Sequence, residues 1–238
     1  MTITGTRSAS SASIAPSCDA AGNITRSLLG YLALAGPFYV AVSLAEALTR
    51  TGFRLSQDEW SLLAVGHLGW IQQANLILAG AMTITGAIGV RRALGRRAVA
   101  GTWAPRLLAG YGSALIAAGV FTADAADGFP AGTPLGRPVH PSWHGTAHMV
   151  SGSIGFACLI AACFVLARGY ARRGAPRIAI ISRAVGVLFA VSFLGIASGA
   201  SNPAINLAFT AAIVTSYAWL TAVAVELYQR TRTQDGIR

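Results

Sequence analysis

Lysine is absent from this chain, and among its 238 residues only 8 are acidic and 3 are cysteine. All 18 basic residues are therefore arginines. Charged residues make up 11% of the sequence, against about a quarter in a soluble domain. That shortage excludes a water-soluble domain large enough to act alone. The cysteines exclude a disulfide framework or a zinc knuckle: Cys18 stands apart, and Cys158 and Cys163 lie inside an apolar run. Five residues apart on a helix, those two point in different directions and read as small packing residues. No arginine run is interleaved with the exposed aromatics a nucleic-acid groove needs, so nucleic acid is excluded as a partner.

What the chain does contain is apolar length. Hydrophobic residues reach 54%, and the mean hydropathy is +0.57. A helix crossing a hydrocarbon core of about 30 Å needs about 20 mostly apolar residues, and six segments qualify: 28–48, 68–90, 107–123, 143–167, 178–197 and 204–225. The expectation is an all-α polytopic membrane protein, a bundle of six transmembrane helices spanning residues 25–228. Residues 1–24 form a Ser/Ala-rich disordered tail and residues 229–238 a short C-terminal one. The first span is too long for a signal-peptide core and is expected to be retained.

Arginine placement sets the orientation, because cytoplasmic loops keep an excess of positive charge. Arg91, Arg92, Arg96, Arg97 and Arg106 lie between spans two and three, and Arg168, Arg172, Arg173 and Arg177 between four and five. Arg7 and Arg26 precede the first span; Arg230, Arg232 and Arg238 follow the last. Both termini are thus expected in the cytoplasm of a multi-pass cell-membrane protein, with the arginine loops meeting anionic lipid headgroups. Arg183, six residues past Arg177, reads as snorkelling to the same headgroups. Only Arg50, Arg54 and Arg137 fall outside, in loops that also hold Asp58, Glu59, Asp124 and Asp127.

Small residues predict helix contacts: Gly195 with Gly199, Ser151 with Gly155, and Gly86 with Gly89. In the first outer loop, Ser56 and Glu59 have capping-box spacing, with Leu55 and Trp60 at the staple positions. That spacing predicts a short helix from after Ser56 to near Gly66, with Trp60 at the membrane interface.

Groups able to do chemistry gather at one level. Glu46 ends span one, His67 opens span two, Asp124 and Asp127 end span three, and His140, His144 and His148 lead into span four. All four histidines of the chain are therefore extracytoplasmic. His144 and His148, four apart, share a helix face at the spacing of paired metal ligands. Pro141 and Ser142 read as the helix start, placing His144 in the first turn, where the dipole favours the neutral, ligating imidazole. His144, His148 and His67 are the metal candidates, for a divalent ion such as zinc. Asp124 and Asp127 are the candidate bases or carboxylate ligands. Gln72, Gln73, Asn75, Asn202 and Asn206 are candidate interhelical hydrogen-bond partners. Three readings stay open: a structural or lipid-sensing polar network, a metal-dependent hydrolase of a lipid or amphiphile, and a solute or proton path.

The runs Gly119-Val120-Phe121-Thr122-Ala123-Asp124, Gly128-Phe129-Pro130 and Gly145-Thr146-Ala147-His148, with Gly69-Trp70 at the start of span two, resemble the prokaryotic membrane family catalogued as domain of unknown function 998. The likeness covers about residues 28–228 and rests on Asp124 and His148; Thr122 stands where that family usually has proline, and His144 has no counterpart. The resemblance implies six membrane helices and no particular activity. In residue types alone the cluster is also similar to membrane hydrolases of the alkaline ceramidase type, which would imply zinc.

Overall fold

A computed structural model describes residues 20–96, 98–199 and 202–235. The tail before residue 20 with Arg7 and Cys18, and also Arg97 and Arg238, lie outside the described residues. The fold is all-α. Six helices follow in order: α1 (Ala20–Thr49), α2 (Gly69–Leu94), α3 (Val99–Val120), α4 (Trp143–Arg172), α5 (Pro176–Ala197) and α6 (Pro203–Asp235). All but α3 are long and apolar enough to cross a membrane. At 22 residues, α3 reaches about 33 Å, but it holds Pro105 and Arg106, and the Arg106 guanidinium lies over the Trp103 ring, 5.4 Å from its centroid.

Most helices overrun the apolar windows. α1 starts at Ala20 rather than at 28, α4 runs on to Arg172, and α6 runs on to Asp235. Hydropathy marks only the part of a helix that would sit in hydrocarbon, while backbone hydrogen bonding continues into the polar ends. Each helix packs on its predecessor, and α6 returns to α1. Between α2 and α3 the approach is set by backbone: a Cβ on Gly80 would meet the carbonyl of Gly112 at 2.5 Å, and one on Gly112 would meet that of Gly80 at 2.7 Å. Gly119 sits as tightly against the Gln73 carbonyl. Such small-residue contacts bring helix axes close where hydrophobic burial gives no drive.

Three local expectations fail. Ser56 and Glu59 do not form a capping box; a five-residue 3-10 helix begins at Trp60, and its N-cap Glu59 makes no side-chain cap bond. The loop's polar groups are engaged elsewhere. Asp58 accepts the Arg54 amide at 2.5 Å, and Asn206 of α6 donates to the Leu55 and Asp58 carbonyls, both at 3.1 Å. Trp60 is buried at 3% exposure against Tyr39 instead of lying at an interface. Gly199 lies beyond the end of α5 with φ +75°, so it shares no helix face with Gly195. Gly86, Gly89 and Gly155 do lie at close helix approaches. Arg183 is exposed on α5.

Candidate functional site

The loop between α3 and α4 is anchored at the α4 N-terminus. Ser142 is the N-cap, and its hydroxyl accepts the Gly145 amide at 2.9 Å. Asp124 Oδ2 accepts the Ser142 amide, also at 2.9 Å. Its negative charge faces the positive end of the α4 dipole. The carboxylate lies where a Cβ on residue 145 would be, so the position admits only glycine without displacement. One turn on, His148 is buried, and its Nδ1 sits 3.0 Å from the Ala118 carbonyl and 2.8 Å from that of Phe121. Both neighbours only accept, so Nδ1 carries the proton and Nε2 is the one ring nitrogen left free. The last carbonyls of α3 thereby gain the donor that a helix C-terminus lacks.

Each arginine at this end of the bundle meets a carboxylate. Arg50 lies 3.6 Å from Glu46, Arg54 3.5 Å from Asp58, and Arg137 3.0 Å from Glu59. Each also ties backbone together. Arg50 donates to the Leu63 and Val65 carbonyls at 2.5 and 2.6 Å and lies over the Phe129 ring. Arg54 donates to the Asp127 carbonyl at 2.5 Å, and Arg137 to that of Ile196 at 3.4 Å. Arg50, Arg54 and Arg137, the exceptions to the arginine asymmetry, are thus the residues that tie the loops of this end together.

Glu59 is the convergence point, lining three cavities. The largest of the three, about 470 Å³, has the most polar lining, with Arg54, Gln57, Asp127, Arg137 and Asn202 beside Leu135 and Ile196. The second, about 370 Å³, runs from Asp124 and Asp127 to Met149 and Val150 on α4. A third, about 90 Å³, descends among Tyr39, Leu76, Leu115, Phe156 and Phe209, with His148 in its wall. Burial pushes the Glu59 carboxyl above its usual range, and Asp127 adds to the effect; the Arg137 guanidinium, with His148, pulls it back. Asp58 is raised as well, first by burial, against the pull of the Arg54 amide and guanidinium.

The metal candidates do not come together. His67, His140 and His144 are exposed, and His144 stacks on Trp143 with ring centroids 3.6 Å apart. Among the described residues no three His, Cys, Asp or Glu side chains are grouped as a metal ion requires. The ligand set of His144, His148 and His67 therefore does not fit zinc. Asp127 reaches the vestibule next to Glu59 with φ 56°, a left-handed backbone that aspartate tolerates. Gln72 and Asn75 belong to a separate buried network between α1 and α2. Asn75 Nδ2 donates to the Tyr39 carbonyl, Ser43 Oγ and Gln72 Oε1 at 3.1, 3.1 and 2.9 Å. Ser43 donates to Gln72 Oε1 at 3.1 Å. The Glu46 carboxylate, buried nearby, has no hydrogen-bond partner among the described residues and faces the Arg50 guanidinium at 3.6 Å.

Sequence reasoning missed Glu59 and Arg137 as site residues. The available signal was the presence of arginines in loops that the charge rule leaves poor in them, beside the main group of acids. A family model described as "Protein of unknown function (DUF998)" matches residues 33–226. No curated protein and no solved structure matches the chain.

Proposed function

The chain belongs to the DUF998 family of proteins of unknown function, and we propose that it is a six-span protein of the cell membrane, both termini cytoplasmic, that holds a lipid or other amphiphile at its extracytoplasmic end without turning it over. The observation that carries this reading is the position of Glu59, ion-paired to Arg137 and shared by a cavity of mixed lining and two more apolar ones. An amphiphile needs that sequence of surroundings: paired charges and amides for a head group, then Met149, Val150 and the aromatic side chains deeper in for a tail. Asp124 and His148 support the site by fixing the α3–α4 junction that forms its wall.

Native mass spectrometry of the detergent-purified chain, titrated with defined phospholipids, tests this reading. Saturable binding of a lipid is expected, weakened about tenfold by Glu59→Gln or Arg137→Gln through loss of a charge-assisted contact. Absence of saturable binding, or equal binding by both variants, sinks it.

A further inference from the structure

At the end opposite the vestibule, the arginines have almost no acids to meet. Among the described residues Glu226 is committed to Arg230 and to the Tyr170 hydroxyl, and no ion pair or side-chain hydrogen bond engages the guanidinium groups of Arg168, Arg172 or Arg173. Those three line a cleft of about 220 Å³ between the start of α3 and the end of α4, floored by Val99, Val165 and Gly169. The contrast with the outer end, where Arg50, Arg54 and Arg137 each have a carboxylate within 4 Å, is the argument: here the neutralising anion must come from outside the chain.

We propose that this cleft is a binding site for the phosphate head group of an anionic membrane lipid. Guanidinium forks match phosphate oxygens in pairs, and basic pockets between membrane helices are suited to such head groups. The N-cap of α3, Ala98, makes no side-chain cap bond, so the first amides of that helix add donors on the same side. Lipid rather than free phosphate is selected by the floor of the cleft and by exposed Val99 on α3 and Phe164 on α4, which continue the apolar surface an acyl chain would follow.

The full-length chain in a neutral detergent is titrated with phosphatidylglycerol, phosphatidylcholine and inorganic phosphate, with bound lipid read by native mass spectrometry and chain integrity by circular dichroism. Phosphatidylglycerol is expected to bind saturably, and Arg168→Gln with Arg172→Gln to weaken it about tenfold or more. The charge-matched pair Arg177→Gln with Arg183→Gln, away from the cleft, should change it less than about threefold. Should the Gln pair fail to fold, Arg168→Lys with Arg172→Lys takes its place; it keeps the charge, loses the forks and is expected to weaken binding by several-fold. Equal losses from the cleft pair and the control pair would show diffuse attraction and overturn the site. Equal affinity for phosphatidylcholine, or inorganic phosphate competing at the same concentration as the lipid, would overturn the assignment to an anionic lipid. The vestibule reading is untouched by any of these outcomes, since Glu59 and Arg137 remain in place.

Discussion

The carboxylate of Asp124 occupies the space that a side chain on Gly145 would need, and from there it holds the Ser142 amide. Two of the sequence runs that carry the family likeness, those of Asp124 and His148, are therefore parts of one joint. The first supplies an anion and the carbonyl end of α3; the second supplies the glycine whose missing Cβ leaves room for that anion and, at His148, the donor that reaches back.

Gly145→Ala should destabilise the protein by about 1–3 kcal/mol, the usual cost of forcing a methyl into filled space. Combined with Asp124→Ala, the two losses should sum to less than their separate values, because the second change empties the space the first one fills. Thermal unfolding in detergent across the four proteins of the cycle measures the coupling. Strict additivity would mean the two residues do not meet.

For His148→Ala we expect a loss of about 1–3 kcal/mol from two carbonyls left without their donor, and no change in metal content by elemental analysis. A stoichiometric metal in the parent that disappears in the variant would restore the ligand reading of this residue.

The pH dependence follows from Glu59. Its carboxyl titrates higher in the folded chain than its ordinary 4.5, so between those two points the folded state binds more protons than the unfolded one. Stability from this group is present below pH 4.5 and is lost as pH rises through the folded value. Glu59→Gln should flatten that decline. Arg137→Gln should deepen it by removing the charge that restrains the shift. Unfolding midpoints measured from pH 4 to pH 8 give both slopes.

Arg50→Gln removes the counter-charge of buried Glu46 and two backbone bonds at once. A cost of about 3–5 kcal/mol is expected, as for one partner taken from a buried pair. Arg50→Lys keeps the charge without the planar fork, so it should recover only part of that loss. Limited proteolysis of the 50–66 segment provides a second readout, with faster cutting in the Gln variant.

The apolar runs made the helices readable because length and hydropathy alone define them, and Ser142 was readable as a cap because the relevant bonds are local. Asp124 and His148 stood out by family likeness, but their roles did not: each acts on a segment 18 to 30 residues away. The same distance effect hid Glu59, whose local spacing with Ser56 resembles a cap while its partner Arg137 is 78 residues on. His144 and His148 have the helical spacing of paired ligands, but their side chains part, one exposed and one buried. Trp143 and Phe121 draw the His144 ring to the surface, while the end of α3 takes the His148 ring inward.

Where the backbones of α2 and α3 touch, at Gly80 with Gly112 and again at Gly119 with Gln73, no acyl chain can slip between them. That seam is sealed to hydrocarbon. The second cavity, by contrast, has exposed Met149 and Val150 on its rim, so an amphiphile already dissolved in a bilayer would arrive sideways, past α4, without ever crossing water.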